Sequence, residues 1–116
     1  MSRWIVAAAV VLVLTGEASA GGYYTQGNEL VEQCRGHGAG KLTSKLGFCI
    51  GYIVSVVDVL SGGDDIAGWR ACFPAGATGT QLIEVAETQL RKHPEYWHLG
   101  APVQLARALS EAFPCE

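Results

Sequence analysis

Four stretches of the chain place apolar residues at helical spacing, and glycine or proline residues separate them. The stretch 46–60 is apolar on every side except at Ser55 and Asp58, which is typical of a helix in the middle of a bundle. Gly47 and Gly51 recur with Ser55 at every fourth position, a smooth stripe suited to close helix packing. The other three stretches each carry one apolar stripe. The pattern predicts an all-α fold, a small four-helix bundle.

Capping residues predict where the first two helices begin. Asn28 can cap a first helix over residues 29–35, and Thr43 or Ser44 can cap the second. The glycine-rich stretch 21–27 before them is predicted to be a flexible leader.

The third and fourth helices are bounded by equally local signals. Thr78 and Gln81 have the spacing of a capping box at the start of the third helix, and Pro94 predicts its end. The fourth helix is predicted over residues 101–112, and the stretch 61–71 is predicted to be a loop.

The first 20 residues have the features of a secretory signal peptide. Arg3 precedes ten unbroken apolar residues, 5–14, which are too few to cross a bilayer. Ala18 and Ala20 are small residues at the spacing that signal peptidase accepts, so cleavage after Ala20 is expected. The exported protein is then one domain, residues 21–116, and no later segment is expected to anchor it in a membrane.

Four cysteines lie in the exported domain, and an even number in an exported chain predicts two disulfides. No two of them form the close C-x-x-C pair that zinc sites usually contain, which makes metal ligation the weaker interpretation. Four cysteines allow three pairings. Neighbours in helical hairpins usually pack together, so the pairing Cys34 with Cys49 and Cys72 with Cys115 is preferred.

Charge and motif content argue against several classes of function. Loss of Arg3 and Glu17 with the signal peptide keeps the net charge at −3, which makes nucleic acid a poor partner. The run 36–41 (GHGAGK) resembles a phosphate loop, but Arg35 replaces its first glycine and Leu42 its Ser/Thr, so an interhelical turn is predicted. No nucleophile motif is found. The sequence therefore predicts a protein that is not an enzyme and has neither a cofactor nor a metal.

The two long loops carry the residue types that dominate protein-binding hot spots, Trp, Tyr and Arg. The predicted partner-binding residues are Asp64, Asp65, Trp69 and Arg70 in the first loop and Tyr96, Trp97 and His98 in the second. The alternative is that the aromatic residues are lids over a small core.

The order of four motifs resembles the Rap/Tai family of immunity proteins, which protect bacteria from type VI secreted peptidoglycan amidases. The motifs are GNELVEQC (27–34), FCIGYIVSVVD (48–58), CFPAGATGTQLIEVAETQLRKHPE (72–95) and ALSEAFPC (108–115). The resemblance implies a small periplasmic helical protein, often a dimer, that plugs the catalytic groove of its cognate amidase.

Two further expectations concern the apolar second helix. It is predicted to form a homodimer contact that includes Ile50, Val54 or Val57, because a thin domain cannot cover a helix that is apolar on every face. The alternative function is a periplasmic stress chaperone of the acid-activated type, since those are also exported, helical and disulfide-bonded.

Overall fold

The computed structural model describes residues 22–36 and 42–116. Within these ranges the helices are α1 (Gly27–Cys34), α2 (Ser44–Ser61), α3 (Gly79–Lys92) and α4 (Ala101–Ala112), with a short 3-10 helix (Pro94–Tyr96) between α3 and α4. Every pair of the four α-helices is in contact. The predicted all-α four-helix fold is confirmed, whereas the signal peptide and the GHGAGK turn apart from Gly36 lie outside the described residues.

The core lies where the apolar stripes of all four helices meet. Leu30 of α1, Ile53 of α2, Leu90 of α3, and Leu105 and Leu109 of α4 are all at most 1% exposed. Each such side chain stabilises the fold by roughly 1.5 to 3 kcal/mol. The apolar stripes at helical spacing thus correctly marked the buried faces of α1, α3 and α4.

Two predicted helix starts are confirmed by their hydrogen bonds. The hydroxyl of Thr43 accepts from the backbone N–H of Leu46 at 3.1 Å, which selects Thr43 over Ser44 as the cap of α2. Thr78 and Gln81 form the complete capping box, with reciprocal bonds of 2.9 and 3.2 Å.

The start of α1 differs from the prediction. The helix begins at Gly27, and the Asn28 side chain accepts only from the next residue's N–H, so Asn28 is not its cap. A Cβ at Gly27 would collide with the side chain of Gln104, which is buried in α4. Close approach between α1 and α4 explains a glycine at this position.

The predicted flexible leader is in fact partly built into the fold. Thr25 is buried, and its carbonyl accepts from the N–H of Ala101 at 2.9 Å. The N–H of Gly27 donates to the carbonyl of Leu99 at 2.7 Å. These backbone bonds fasten the segment before α1 to the start of α4, an interaction between distant parts of the chain that local composition could not indicate.

Only one face of α2 is buried, so its predicted place in the middle of the bundle is wrong. The buried residues are Leu46, Cys49, Ile53, Val56 and Leu60. On the other side, Phe48, Val54 and Val59 are 41 to 47% exposed, and a Cβ added at Gly47 or Gly51 would have open space around it. The cause is the thin domain: the other three helices are shorter and leave this outer face uncovered.

Helix α2 also bears on the prediction that no segment after the signal peptide anchors the protein in a membrane. Among the described residues, α2 is the one helix whose length and apolar composition would allow it to cross a membrane. By these two criteria the prediction does not hold for α2. Five of its side chains are nevertheless buried within the bundle.

The preferred disulfide pairing is confirmed. Cys34–Cys49 joins α1 to α2 inside the core, and Cys72–Cys115 joins the segment after α2 to the end of the chain. The first bridge is buried and the second is exposed.

Candidate partner-binding site

The first predicted binding loop contains a tight hairpin turn that presents Trp69. Ile66 and Trp69 exchange two backbone hydrogen bonds of 3.0 Å each. Between them Ala67 and Gly68 have φ of 52° and 85°, the two positive values that define a type I′ turn. Gly68 adopts this conformation freely, whereas Ala67 does so at a cost of roughly 1 to 2 kcal/mol. The position of Trp69 is therefore fixed by the backbone.

The second loop follows the end of α3. Helix α3 ends at Lys92, one residue before its C-cap His93 and two before Pro94, as predicted. His93 Nδ1 lies 2.9 Å from a carboxylate oxygen of Glu95, and the His93 ring stacks on Tyr96 with centroids 5.4 Å apart. The hydrogen bond from His93 is the main cause that holds the pKa of Glu95 below its ordinary value. Tyr96 is thus supported from one side.

Arg107 of α4 joins the two loops. Its guanidinium lies 3.9 Å from the ring centroid of Tyr96 and 5.3 Å from that of Trp69. It also donates to the Tyr96 hydroxyl at 2.8 Å, while its Nε donates to Glu111 at 3.2 Å. Trp69, Tyr96 and Arg107 form one continuous surface, which we call the Arg107 surface.

The contacts of the Arg107 surface restrict its side chains before any partner arrives. A cation–π contact stabilises by about 0.5 to 1 kcal/mol when exposed and about 2 kcal/mol when desolvated. The Arg107 side chain is 30% exposed, which places its two contacts between these limits. All three residues are only partly exposed, and Trp69 also packs against the core. The surface is therefore ordered yet still open to a partner.

The other predicted binding residues lie in the same two loops but are not part of the Arg107 surface. Trp97 is half-buried, packs on the core and donates its indole N–H to the carbonyl of Leu90 at 2.7 Å. Arg70 donates to the carbonyl of Gly63 within its own loop. Asp64, Asp65 and His98 are exposed. Trp97 is thus a lid over the core, as in the alternative interpretation, whereas Trp69 both packs on the core and faces Arg107.

The sequence does not single out Arg107, because nothing local marks it. In the sequence it is one charged position of an amphipathic helix, four residues before Glu111. Its contacts with Trp69 and Tyr96 span 38 and 11 residues along the chain. Folding alone brings the three together.

A second missed residue is Glu87, a carboxyl group in the interior of the protein. It is 1% exposed and lies 3.5 Å from the Sγ of Cys49 and 3.8 Å from the guanidinium of Arg91. Glu87, Cys34 and Cys49 bring three ligand-type atoms within 4.8 Å of one another. Both sulfurs form a disulfide and therefore lack the thiolate charge that metals bind. We interpret this cluster as part of the core and not as a metal site.

Comparison with known proteins places the chain in a family. No curated protein matches the chain. Residues 26–115 match the family model described as Rap1a immunity proteins, a range that includes α1 to α4, both disulfides and the Arg107 surface. The match agrees with the motif order noted in the sequence. The chain belongs to the Rap1a immunity protein family.

Proposed function

We propose that this protein protects its producer by binding a secreted peptidoglycan amidase and blocking the enzyme's substrate groove. Membership of an immunity family supports the general part of this role, namely binding of an effector protein and inhibition without chemistry of its own. The amidase target and the blocked groove are what the resemblance to the Rap/Tai family implies.

The observation that carries the proposal is the Arg107 surface. It combines Trp, Tyr and Arg, the three residue types most enriched in binding hot spots. Directional contacts already hold these side chains, so little conformational entropy is lost when they dock. Asp64 and Asp65 are exposed in the same loop as Trp69, where their carboxylates could meet a catalytic histidine of the amidase.

The proposed compartment is the periplasm, where peptidoglycan lies. Two disulfides suit an oxidising compartment, and the family is consistent with a periplasmic location. We further propose that the signal peptide is removed after Ala20 and that the effector is delivered by a type VI secretion system.

A homodimer is part of the same proposal. The outer face of α2 exposes Phe48, Val54 and Val59, with Ile50 and Val57 half-buried at its edges. Apolar patches of this kind on a small domain usually mark a contact with another molecule. A two-fold dimer would cover the face with its own copy.

The exposed face of α2 is also the observation that favours a chaperone as the second candidate. A chaperone needs apolar surface to hold unfolded clients, and this surface is present without a partner. Refolding of a denatured client at low pH, with and without the protein, separates the two functions.

The decisive experiment mixes the purified exported protein with the amidase encoded nearest to its own gene and follows peptidoglycan cleavage. We expect cleavage to stop at stoichiometric amounts and a complex to elute from a sizing column. Undiminished cleavage at excess, without a complex, would contradict the proposal and favour the chaperone.

A further inference from the structure

The two disulfides of this protein lie in opposite surroundings. Cys34 and Cys49 are 6% and 0% exposed, and the Glu87 carboxyl lies 3.5 Å from the Cys49 sulfur. Cys72 and Cys115 are both exposed. Cys34 also lines a cleft, of about 550 Å³, but little of Cys34 and none of Cys49 is exposed. Thiol–disulfide exchange requires a thiolate to reach a disulfide sulfur, so access favours the outer bridge, Cys72–Cys115.

A cleft leads to the exposed bridge. Its volume is about 310 Å³, and it is lined by both sulfur-bearing residues together with Leu60, Arg70 and Phe73 among others. The guanidinium of Arg70 is held in the loop by its bond to the Gly63 carbonyl. Arg70 lines the same cleft as the bridge, and a cation there attracts the attacking thiolate and stabilises the thiolate that leaves.

We propose that Cys72–Cys115 is a site of thiol–disulfide exchange with dithiol reductants, whereas the buried Cys34–Cys49 bridge reacts more slowly. One thiolate of the dithiol attacks a sulfur of the bridge, the S–S bond breaks, and the other cysteine leaves as a thiolate that takes up a proton. The second thiol of the reductant then attacks the mixed disulfide. The products are two cysteine thiols and one oxidised, cyclic disulfide of the reductant.

The structure also indicates what reduction releases. The bridge fastens the chain end to the loop that carries Trp69, assisted by the bond from Cys72 N–H to the Phe113 carbonyl at 2.9 Å and by the edge contact of Phe73 with Phe113. The four-helix core does not pass through this bridge. The reduced protein therefore stays helical while residues 61–73 and 113–116 loosen.

The test treats the natively folded, oxidised protein with dithiothreitol and traps free thiols with iodoacetamide at successive times. Peptide masses should show Cys72 and Cys115 labelled at least about tenfold sooner than Cys34 and Cys49, because the buried bridge reacts only after local opening. Far-UV circular dichroism should not change during the first labelling. Labelling of all four cysteines together, or loss of helix with the first labelling, overturns the proposal.

Two variants extend the test, and the first of them needs no reductant. The double variant Cys72→Ser, Cys115→Ser should keep its helical spectrum and exchange amide hydrogens faster at residues 61–73 and 113–116; an unfolded variant contradicts the inference. Arg70→Gln should slow reduction of the outer bridge by about threefold at low salt, and 1 M salt should remove the difference because it screens the charge. An Arg70→Gln rate equal to that of the native protein would refute the role of the guanidinium.

Discussion

Two exposed surfaces of this small domain are built in contrasting ways. The outer face of α2 exposes Phe48, Val54 and Val59 on one helix, together with the polar Ser55 and Asp58. Phe48 and Tyr52 are neighbouring rings 5.8 Å apart on this helix. The Arg107 surface joins two loops and a helix by cation–π contacts and hydrogen bonds. An apolar face can bind many apolar faces of matching shape, whereas fixed aromatic and charged groups bind well only to a partner with complementary shape and charge. We therefore propose self-association for the first surface and effector recognition for the second.

The largest expected effect comes from a charge placed in the outer face of α2. Val54→Asp places a further carboxylate in the outer face of each copy, one turn before the exposed Asp58, so a two-fold contact must bring more like charges together and bury them. We expect the dimer dissociation constant to rise by about a hundredfold, or about 2.7 kcal/mol, as measured by sedimentation equilibrium.

The matched control for this variant is Thr80→Asp, which adds the same charge at an exposed position of α3. It should remain dimeric. Amidase inhibition by Val54→Asp should persist, since the two surfaces have separate tasks. A native protein that is monomeric at micromolar concentration, or a Val54→Asp variant that still dimerises, contradicts the assignment.

The next effect concerns the Arg107 surface. Trp69→Ala removes a central anchor and one of the two rings against Arg107, so we expect amidase affinity to fall by at least about thirtyfold, or roughly 2 kcal/mol. Titration calorimetry with the cognate amidase measures the change.

Tyr24→Ala is the control for truncation of an aromatic side chain, because Tyr24 is fully exposed and outside the Arg107 surface. Its affinity should match that of the native protein, and the dimer should be unaffected by either variant. Equal losses for Trp69→Ala and Tyr24→Ala would show that the Arg107 surface has no special part in recognition.

The same contrast explains how much the sequence could reveal. Helix α4 was predicted at its observed bounds, because the stripe containing Leu105 and Leu109 and the first-turn Pro102 are local signals. The capping box of α3 was equally local. The sequence predicted that a thin domain cannot cover all of α2, but not which side is left uncovered, since an apolar helix looks the same in sequence whether three neighbours surround it or lie on one side.

For the same reason, the sequence predicted only part of the candidate site. Composition pointed to Trp69 and Tyr96, but Arg107 acquires its role through contacts between segments far apart in sequence. The anchoring of Thr25 beside Ala101 was hidden in the same way. Local patterns predict helices and their ends, whereas a surface shared by three segments requires the fold.

The smallest expected effect tests whether the contacts around Tyr96 are ionic in part. The pKa of Glu95 is lowered in the folded protein, mainly by the hydrogen bond from His93. A carboxyl group with a lowered pKa stabilises the fold above its unfolded pKa, near 4.5, and this contribution is lost as the pH falls through the folded value. Glu95 is fully exposed, so solvent screening keeps the effect small.

Urea unfolding of the native protein and of Glu95→Gln measures this contribution. At pH 7 the native midpoint should lie slightly above that of Glu95→Gln, and the two should converge as the pH falls through the lowered pKa of Glu95 and the carboxyl is protonated. Glu116→Gln, which changes the exposed side-chain carboxyl of the last residue, should follow the native protein over the same pH series. A gap that persists or widens at the acidic end of the series would mean that Glu95 acts through its shape and not its charge, and that Tyr96 is held by packing and by Arg107 alone.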